Sequence, residues 1–333
     1  MNLRLLFILI VLSGGSLFAQ DTFSIVAVDT VTGQMGSAGA SCIDATAIAG
    51  GAKIISDILP GRGAIHTQSY WISANQVNAR NRMLAGDSPQ QIIDWLVAND
   101  VQGLPGRRQY GIVDLDENGN PRTAAYTGAT SMNWKGHITG RNYAIQGNIL
   151  LSQAIIDSME ARFNATEGML SDKLMAALQG ANVPGADSRC LNEGVSSLSA
   201  FIRMADPDDV AGNFFLDLNV PQTPYGVEPI DSLQVLYDEW KTILGLDNSL
   251  KSENDRWSIY PNPAEGVLQY NILSVTNAVS EMHFTSVDGK NLLRLSISEN
   301  SGTIDVSTLP KGNILVSLHY KDGKSSTKKL LLK

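Results

Sequence analysis

The chain has 333 residues, 43% of them hydrophobic, and a formal net charge of −8 at pH 7. This length allows about two domains, and the apolar fraction is ample for buried cores. The acidic balance excludes recognition of nucleic acid through its phosphates, which needs a basic face.

Residues 1–19 have the three parts of a secretory signal peptide: Arg4, the apolar run Leu5 to Leu12, and small neutral residues from Ser13 to Ala19. The apolar run is too short for a transmembrane helix, which needs about 20 residues. No later stretch is long and apolar enough to span a bilayer, so the sequence predicts an exported, soluble chain. Its two cysteines are Cys42 and Cys190. In an exported protein two cysteines most often pair, which predicts a disulfide. The alternative is a free nucleophilic Cys42 served by His66.

Phe23 to Val28 is mostly apolar, as in a strand buried on both faces. Asp29 to Gln34 is turn chemistry, and Met35 to Ser41 reads as the second strand of a hairpin. Residues 44–55 and 61–69 read as two more short strands. Gln76 to Ala85 has helical composition. Ser88 then caps a helix with Pro89 at its first position and an apolar stripe of Ile92, Ile93, Leu96 and Val97. Gln109 to Leu115 and Arg122 to Tyr126 are strands around the turn Asp116 to Pro121. That turn lacks the ligand series of a calcium-binding loop. Asn142 to Gly147 is a strand, and Ser152 to Phe163 and Met169 to Gln179 are amphipathic helices. Val195 to Met204 and Phe214 to Val220 read as strands, and Ile230 to Leu244 as a helix facing inward through Leu233, Leu236, Tyr237 and Trp240. This order fits sheets covered by helix layers.

Residues 246–256 are polar and patternless and read as a linker. Beyond them, residues 257–333 show only short strands and turns, the pattern of a small all-β sandwich. The expected turns are Pro261-Asn262-Pro263, Asp288-Gly289, Pro310-Lys311-Gly312 and Asp322-Gly323. Within this module lie IYPNPAEG (Ile259 to Gly266), VDGK (Val287 to Lys290), LPKG (Leu309 to Gly312) and a basic, leucine-rich end, Lys328 to Lys333. In this order they resemble the type A sorting domain of type IX secretion. The resemblance implies passage across the outer membrane, with the secretion machinery as a partner, and a secreted or surface-attached product.

Upstream, TFSIVAVD (Thr22 to Asp29), TGQMGSAGAS (Thr32 to Ser41), GAIHTQS (Gly63 to Ser69), RQYGIVD (Arg108 to Asp114), YTG (Tyr126 to Gly128), GHITG (Gly136 to Gly140) and YAIQGNIL (Tyr143 to Leu150) occur in order. They are followed by DSR (Asp187 to Arg189) and SSLSAF (Ser196 to Phe201). Together these resemble the domain-of-unknown-function 1028 family, similar in structure to the N-terminal nucleophile hydrolases. The resemblance implies an α+β fold, a four-layer αββα sandwich over residues 20–245, followed by the β-sandwich of residues 257–333. The family's activity is not established.

In such hydrolases the nucleophile is the first residue of the mature chain. Its own α-amine, with a pKa near 8, is the general base. Thr22 is the matching residue, although cleavage after Ala19 leaves Gln20 and Asp21 in front of it. The alternative is a β-branched residue that merely opens a strand. Asp29 orients an amine or substrate, or caps a turn. His66 shuttles protons or is a packed core histidine. Asn148 and Gln146 are placed for an oxyanion hole. Ser41, Gln68, Arg108, Gln109 and Thr127 are candidate substrate contacts, with Arg108 a natural carboxylate fork. Asp187 and Arg189 are either substrate contacts or a buried ion pair.

The four histidines, His66, His137, His283 and His319, lack paired ligand spacing, so no metal is expected. His137, between glycines, reads as a loop residue. There is no phosphate loop or dinucleotide fingerprint, so no cofactor is expected. The leading expectation is a secreted amide hydrolase acting on a peptide or a cell-wall-derived compound. The rival is a non-catalytic module on the same fold that binds peptidoglycan or a small ligand. Self-association is left open.

Overall fold

The computed structural model describes residues 22–244, 257–272, 279–321 and 325–333. The expected signal peptide, the linker and the Asp322-Gly323 turn lie outside the described residues. The chain divides into two compact units, residues 1–234 and 235–333.

The first unit begins with the hairpin β1 (Thr22–Val28) and β2 (Met35–Ser41), then β3 (Ser56–Leu59) and β4 (Gly63–Gln68). Helices α1 (Ser73–Leu84) and α2 (Pro89–Ala98) lead to β5 (Gln109–Leu115), β6 (Pro121–Thr127), β7 (Gly136–Thr139) and β8 (Tyr143–Gly147). Then come α3 (Ala154–Ala165), α4 (Leu170–Gly180), β9 (Ser199–Ala205), β10 (Leu216–Val220) and α5 (Pro229–Ile243), the last crossing the boundary between the units. Two expectations are corrected. Residues 44–50 form turns and Gly51–Ile55 a single 3₁₀ turn, with the strand starting only at Ser56. Gly50 and Gly51 hold left-handed backbone there, which interrupts an extended run. His137 lies in β7, paired with β8 opposite Gln146, and not in a loop.

The strands form two antiparallel sheets, of order β10-β9-β2-β1-β8-β7 and β3-β4-β5-β6. Alternate residues of a strand point to opposite faces, so the sequence dictates what each layer receives. On β1, Ala27 sits opposite Gly36, where an added Cβ would strike Leu170 and Leu174 of α4. Odd-numbered β1 residues therefore face the helices. Even-numbered ones face the other sheet: Val26 and Val28 pack with Ile58, Ala64 and Val113 in one buried cluster. The outer face of the four-stranded sheet packs Ile65, Tyr110 and Ile112 against Met83 of α1 and Ile92 and Leu96 of α2. Helix α2 starts as its sequence dictates: Ser88 and Gln91 form a capping box, and Pro89 sits at the first turn.

Cys42 and Cys190 form a disulfide with a Cα–Cα distance of 5.8 Å, which ties the end of β2 to the 3₁₀ segment Ser188–Glu193. Closing so long a loop stabilises by up to about 4–5 kcal/mol in the chain-entropy model.

The second unit contains β11 (Trp257–Tyr260), β12 (Val267–Ile272), β13 (Val279–Ser286), β14 (Asn291–Ser296), β15 (Ser301–Asp305), β16 (Gly312–Tyr320) and β17 (Ser325–Leu332). They form sheets of order β11-β12-β15 and β14-β13-β16-β17. Trp257, Leu268 and Ile304 of the first share one apolar core with Phe284, Val316 and Leu330 of the second.

Candidate functional site

Antiparallel pairing brings a set of strand ends to one end of the first unit. In the six-stranded sheet these are the start of β1 at Thr22, the ends of β2 at Ser41 and β8 at Gly147, and the start of β9 at Ser199. In the four-stranded sheet they are the end of β4 at Gln68, the start of β5 at Gln109 and the end of β6 at Thr127. The two sets meet: Gln68 Nε2 donates to the Thr22 carbonyl at 3.0 Å, and Gln109 Nε2 to the Gly147 carbonyl at 2.8 Å. The space between the sheets is thus apolar around Val26, Val28 and Val113, and polar toward Thr22.

Backbone carbonyls fix the direction of this polar layer. Gln109 Nε2 donates to the carbonyls of Gly147 and Gly136 (3.0 Å) and to Thr127 Oγ1 (2.9 Å), so Gln109 Oε1 is an acceptor. It takes hydrogen bonds from Gln68 Nε2 (2.8 Å) and Asn148 Nδ2 (2.9 Å). Gln68 Oε1 then accepts from Ser24 Oγ at 2.6 Å, and Ser24 accepts from Gln146 Nε2 at 2.7 Å. The second Gln146 N–H meets His66 Nδ1 at 3.2 Å, which leaves the His66 proton on Nε2, 2.6 Å from Ser37 Oγ. Ser37 donates to Ser56 Oγ (2.8 Å), which also accepts from Arg203 at 3.2 Å. Gly111 makes room for this layer, since a Cβ there would lie 1.9 Å from Gln146 Oε1.

His66 is fully buried, and burial, reinforced by the charge of Arg203, pushes its pKa down to about 3. It is a neutral member of the layer, edge-on to Phe201 with ring centroids 6.0 Å apart.

Thr22 is 1% exposed, and its Oγ1 has no hydrogen-bond partner. The Asn148 amide N–H donates to the Thr22 carbonyl at 3.2 Å, which extends the Phe23–Gly147 register by one pair. Thr22 and Asn148 are therefore cross-strand neighbours on the inner face. Asn148 Oδ1 is also buried without a partner. Beside them, Ser69, Tyr70 and Ile149 adopt positive φ of 58°, 55° and 52°. Non-glycine residues held there carry strain, which tends to collect at functional sites.

Ser41 lies opposite Thr22 on the other side of β1. Asp187 is fully buried and accepts from the Cys42 N–H at 2.9 Å, from Arg189 Nε at 3.0 Å and from Arg189 Nη2 at 2.6 Å. The Ser188 N–H donates to the Ile149 carbonyl at 2.9 Å. Disulfide, Asp187 segment and Asn148 thus form a continuous wall beside Thr22.

Three expectations need correction, and at Cys42 the expected disulfide excludes the alternative of a free nucleophile. Asp29 is past the far end of β1, roughly 23 Å from Thr22 at about 3.3 Å per residue, and caps its turn by accepting from the Val31 N–H at 2.8 Å. Arg108 is no substrate fork: it is 1% exposed and held by Asp100 at 2.8 Å, the Tyr70 carbonyl and Gln102. Burial works to raise the Asp100 pKa, but hydrogen bonds from Arg108, Leu104, Asn75 and Gln102 outweigh it and hold the carboxyl below its ordinary range. Gln146 has both N–H groups committed and cannot donate to an oxyanion. The Cys42 thiol is consumed by the disulfide, and His66 is bonded to Ser37 and Gln146 instead.

Sequence reasoning missed Ser24, Ser37, Ser56 and Arg203. A signal existed for one of them: Ser24 shares the parity of Thr22 in an otherwise apolar run, and so had to face the same layer.

The fold and site define a protein of mixed helices and antiparallel sheets, with a polar layer between two of its sheets. The chain belongs to the family of unknown function (DUF1028), whose model matches residues 22–231. Residues 258–333 match the secretion system C-terminal sorting domain, which directs export by type IX secretion to the cell surface or the medium. Among the described residues no helix is long and apolar enough to cross a membrane. A crystal structure of a Silicibacter pomeroyi protein of the same family is similar at 22% identity, covering 66% of this chain and 89% of that one, with a TM-score of 0.53. That likeness speaks for the fold alone. A more distant one, to the ancestral beta-subunit Anbu of Yersinia bercovieri, has 10% identity, covers 68% of this chain and 97% of that one, and has a TM-score of 0.35. No curated protein matches the chain.

Proposed function

We propose that the chain is a secreted amide hydrolase of the N-terminal nucleophile type. In this reading residues 20–245 form a four-layer αββα sandwich, residues 257–333 the sorting module, and Thr22 is the nucleophile. The observation that carries it is the Thr22 hydroxyl, buried and unpartnered at the polar end of the layer between the sheets. A hydroxyl there costs stability and has no packing rationale.

The ladder geometry supports the α-amine as the base. Even-numbered β1 residues exchange backbone hydrogen bonds with the β8 side, as the Val28 N–H does with the Asn142 carbonyl at 2.9 Å. Nitrogen and carbonyl of Thr22 therefore both point toward Asn148. Once released from Asp21, the Thr22 amine takes the hydroxyl proton as Oγ1 attacks the amide carbon. The C–N bond then breaks and the proton leaves with the amine product. Water cleaves the resulting ester to a carboxylate and restores Thr22. Asn148 keeps one uncommitted N–H for the oxyanion. The substrate is an amide in a peptide or a cell-wall-derived compound.

Because Thr22 is 1% exposed, the same fold also suits a binding module whose threonine never reacts. N-terminal sequencing of the exported chain, with hydrolysis assays on a panel of fluorogenic amides, separates the two. The hydrolase requires a mature chain starting at Thr22 and loss of activity, by at least a thousandfold, in Thr22→Ala. A mature chain starting at Gln20 with no hydrolysis of any amide in the panel leaves the binding module, and full activity in Thr22→Ala removes Thr22 as the nucleophile.

A further inference from the structure

We infer that Arg107, laid over the ring of Tyr70, binds a carboxylate of the substrate, so that the amides cleaved here are anionic ones. This deepens the hydrolase reading and rests on it for the place of the reacting bond.

Arg107 and Tyr70 are placed by the same ladder as the polar layer. Gln68 pairs with Gln109, at the end of β4 and the start of β5. Tyr70 is two residues past Gln68 and Arg107 two residues before Gln109, so each lies within about 7 Å of its glutamine along the chain. Those glutamines bond the carbonyls of Thr22 and Gly147. The two neighbouring arginines then part. Arg108, of opposite parity to Gln109, turns to Asp100 on the helix side, where Asn75 bonds both Asp100 and the Tyr110 hydroxyl. Arg107 turns to Tyr70, with its guanidinium carbon 5.3 Å from the ring centroid. Arg108 also donates to the Tyr70 carbonyl, which holds Tyr70 in its positive-φ backbone. The buried Asp100–Arg108 pair is thus the footing of the ring on which Arg107 rests.

Arg107 is half-buried, and among the described residues its side chain has no hydrogen-bond or ion-pair partner, only the Tyr70 face. Its five N–H donors are therefore uncommitted. Lys135 adds a second cation at this end. Its ammonium donates to the Ala129 and Ser131 carbonyls, both at 2.6 Å, and among the described residues it has no carboxylate partner. The segment it holds also reaches Arg107's neighbour, since the Thr130 N–H donates to the Gly106 carbonyl at 2.8 Å. Ser69, between Gln68 and Tyr70, is fully buried with its hydroxyl unpartnered.

Two cations without counter-ions at one end of an acidic chain call for an anion. A guanidinium already stacked on a ring is held in place and presents its fork to the two oxygens of a carboxylate, which Lys135 cannot match as a point charge. A processed Thr22 also brings an α-ammonium. A preference for anions therefore identifies Arg107 only if it depends on the Arg107 side chain.

The test is NMR titration of the ¹⁵N-labelled exported chain with two pairs of probes at matched ionic strength: succinamate against succinamide, and N-acetylalanine against N-acetylalaninamide. The first anion carries its carboxylate on the acyl side of the amide, the second on the amine side, so the pair that responds shows which side faces Arg107. At least one anion should bind about tenfold or more tighter than its neutral partner, as a charge-assisted fork would give. Arg107→Gln should erase that preference. Arg107→Lys should leave part of it, because the charge stays while the fork and the stack are lost. Arg107 makes only the ring contact, so both variants keep the fold, which their NMR spectra check. Equal binding within both pairs, no saturable shift with any probe, or a preference that survives Arg107→Gln would each overturn the inference. An Arg107-dependent preference in a chain that hydrolyses no amide would instead remove the hydrolase reading and leave the carboxylate site standing.

Discussion

Both units stack two antiparallel sheets, and they fill the space between them in opposite ways. In the second unit the filling is Trp257, Leu268, Phe284, Val316, Leu318 and Leu330, with the one indole N–H satisfied by Ser326 at 2.7 Å. In the first unit the filling near Thr22 is Ser24, Ser37, His66, Gln68, Gln109 and Gln146, all buried. Apolar side chains would stabilise that layer more cheaply, since each polar member is desolvated and must find every partner. What the polar layer gains is one fixed direction of hydrogen bonding, hence one fixed placement of Thr22 and Asn148. The second unit needs only to fold and be recognised. The first holds a hydroxyl in an unsatisfied position, a local cost that the proposed chemistry would explain.

The contrast can be broken experimentally. The largest effect should come from Phe284→Ala, which opens a cavity in the apolar core and costs about 3–5 kcal/mol of the second unit's stability in denaturant unfolding. Packing there would be loose if the loss were under 1 kcal/mol. Gln109→Leu should cost about 2–4 kcal/mol in the first unit, because Asn148 Nδ2 and the Gly136 carbonyl each lose a partner at about 1–3 kcal/mol per orphaned group. Its distinctive mark is faster hydrogen exchange at Asn148, which a mere packing defect would not confine to that strand end.

Acid should separate the units next. The pKa of His66 falls from its ordinary value of 6.5 to about 3 on folding, so the unfolded chain binds the extra proton. The stability held above pH 6.5 is lost as pH falls toward 3, at up to about 1.4 kcal/mol per unit. His66→Gln should flatten that slope in the first unit, and an unchanged slope would assign it to the carboxylates. The smallest effect belongs to Thr22→Val. Removing an orphaned hydroxyl should leave stability unchanged or raise it by up to about 1 kcal/mol, while amide hydrolysis disappears. A loss above 1 kcal/mol would mean that the hydroxyl has a structural partner after all.

Periodicity made much of the fold legible: the β1–β2 hairpin, the Ser88–Pro89 helix start and the all-strand second unit follow from alternation, capping and turn residues. It failed at residues 44–55, which read as a short strand but form turns and a 3₁₀ segment around the left-handed Gly50 and Gly51. The candidate residues Thr22, Gln68, Gln109, Gln146 and Asn148 came as a list from the family motifs, and the fold brings them to one end of the first unit. Their roles were not legible. Arg108 reads as a fork for substrate until the fold sets Asp100 against it, and Gln146 as an oxyanion donor until Ser24 and His66 take its two N–H groups.

What the sequence determined by itself was every feature that depends on near neighbours along the chain: strand parity, helix caps, turns, and the change of composition after residue 256. It also supplied the two cysteines and the ordered motifs that mark both families. Tertiary structure alone decided which polar groups were spent and which were left over. That depends on a hydrogen-bond chain running through β1, β2, β3, β4, β5, β8 and β9, in which directly bonded partners lie up to 147 residues apart in sequence. A side chain's chemistry is local, but its availability is settled only when its partners arrive from elsewhere in the fold.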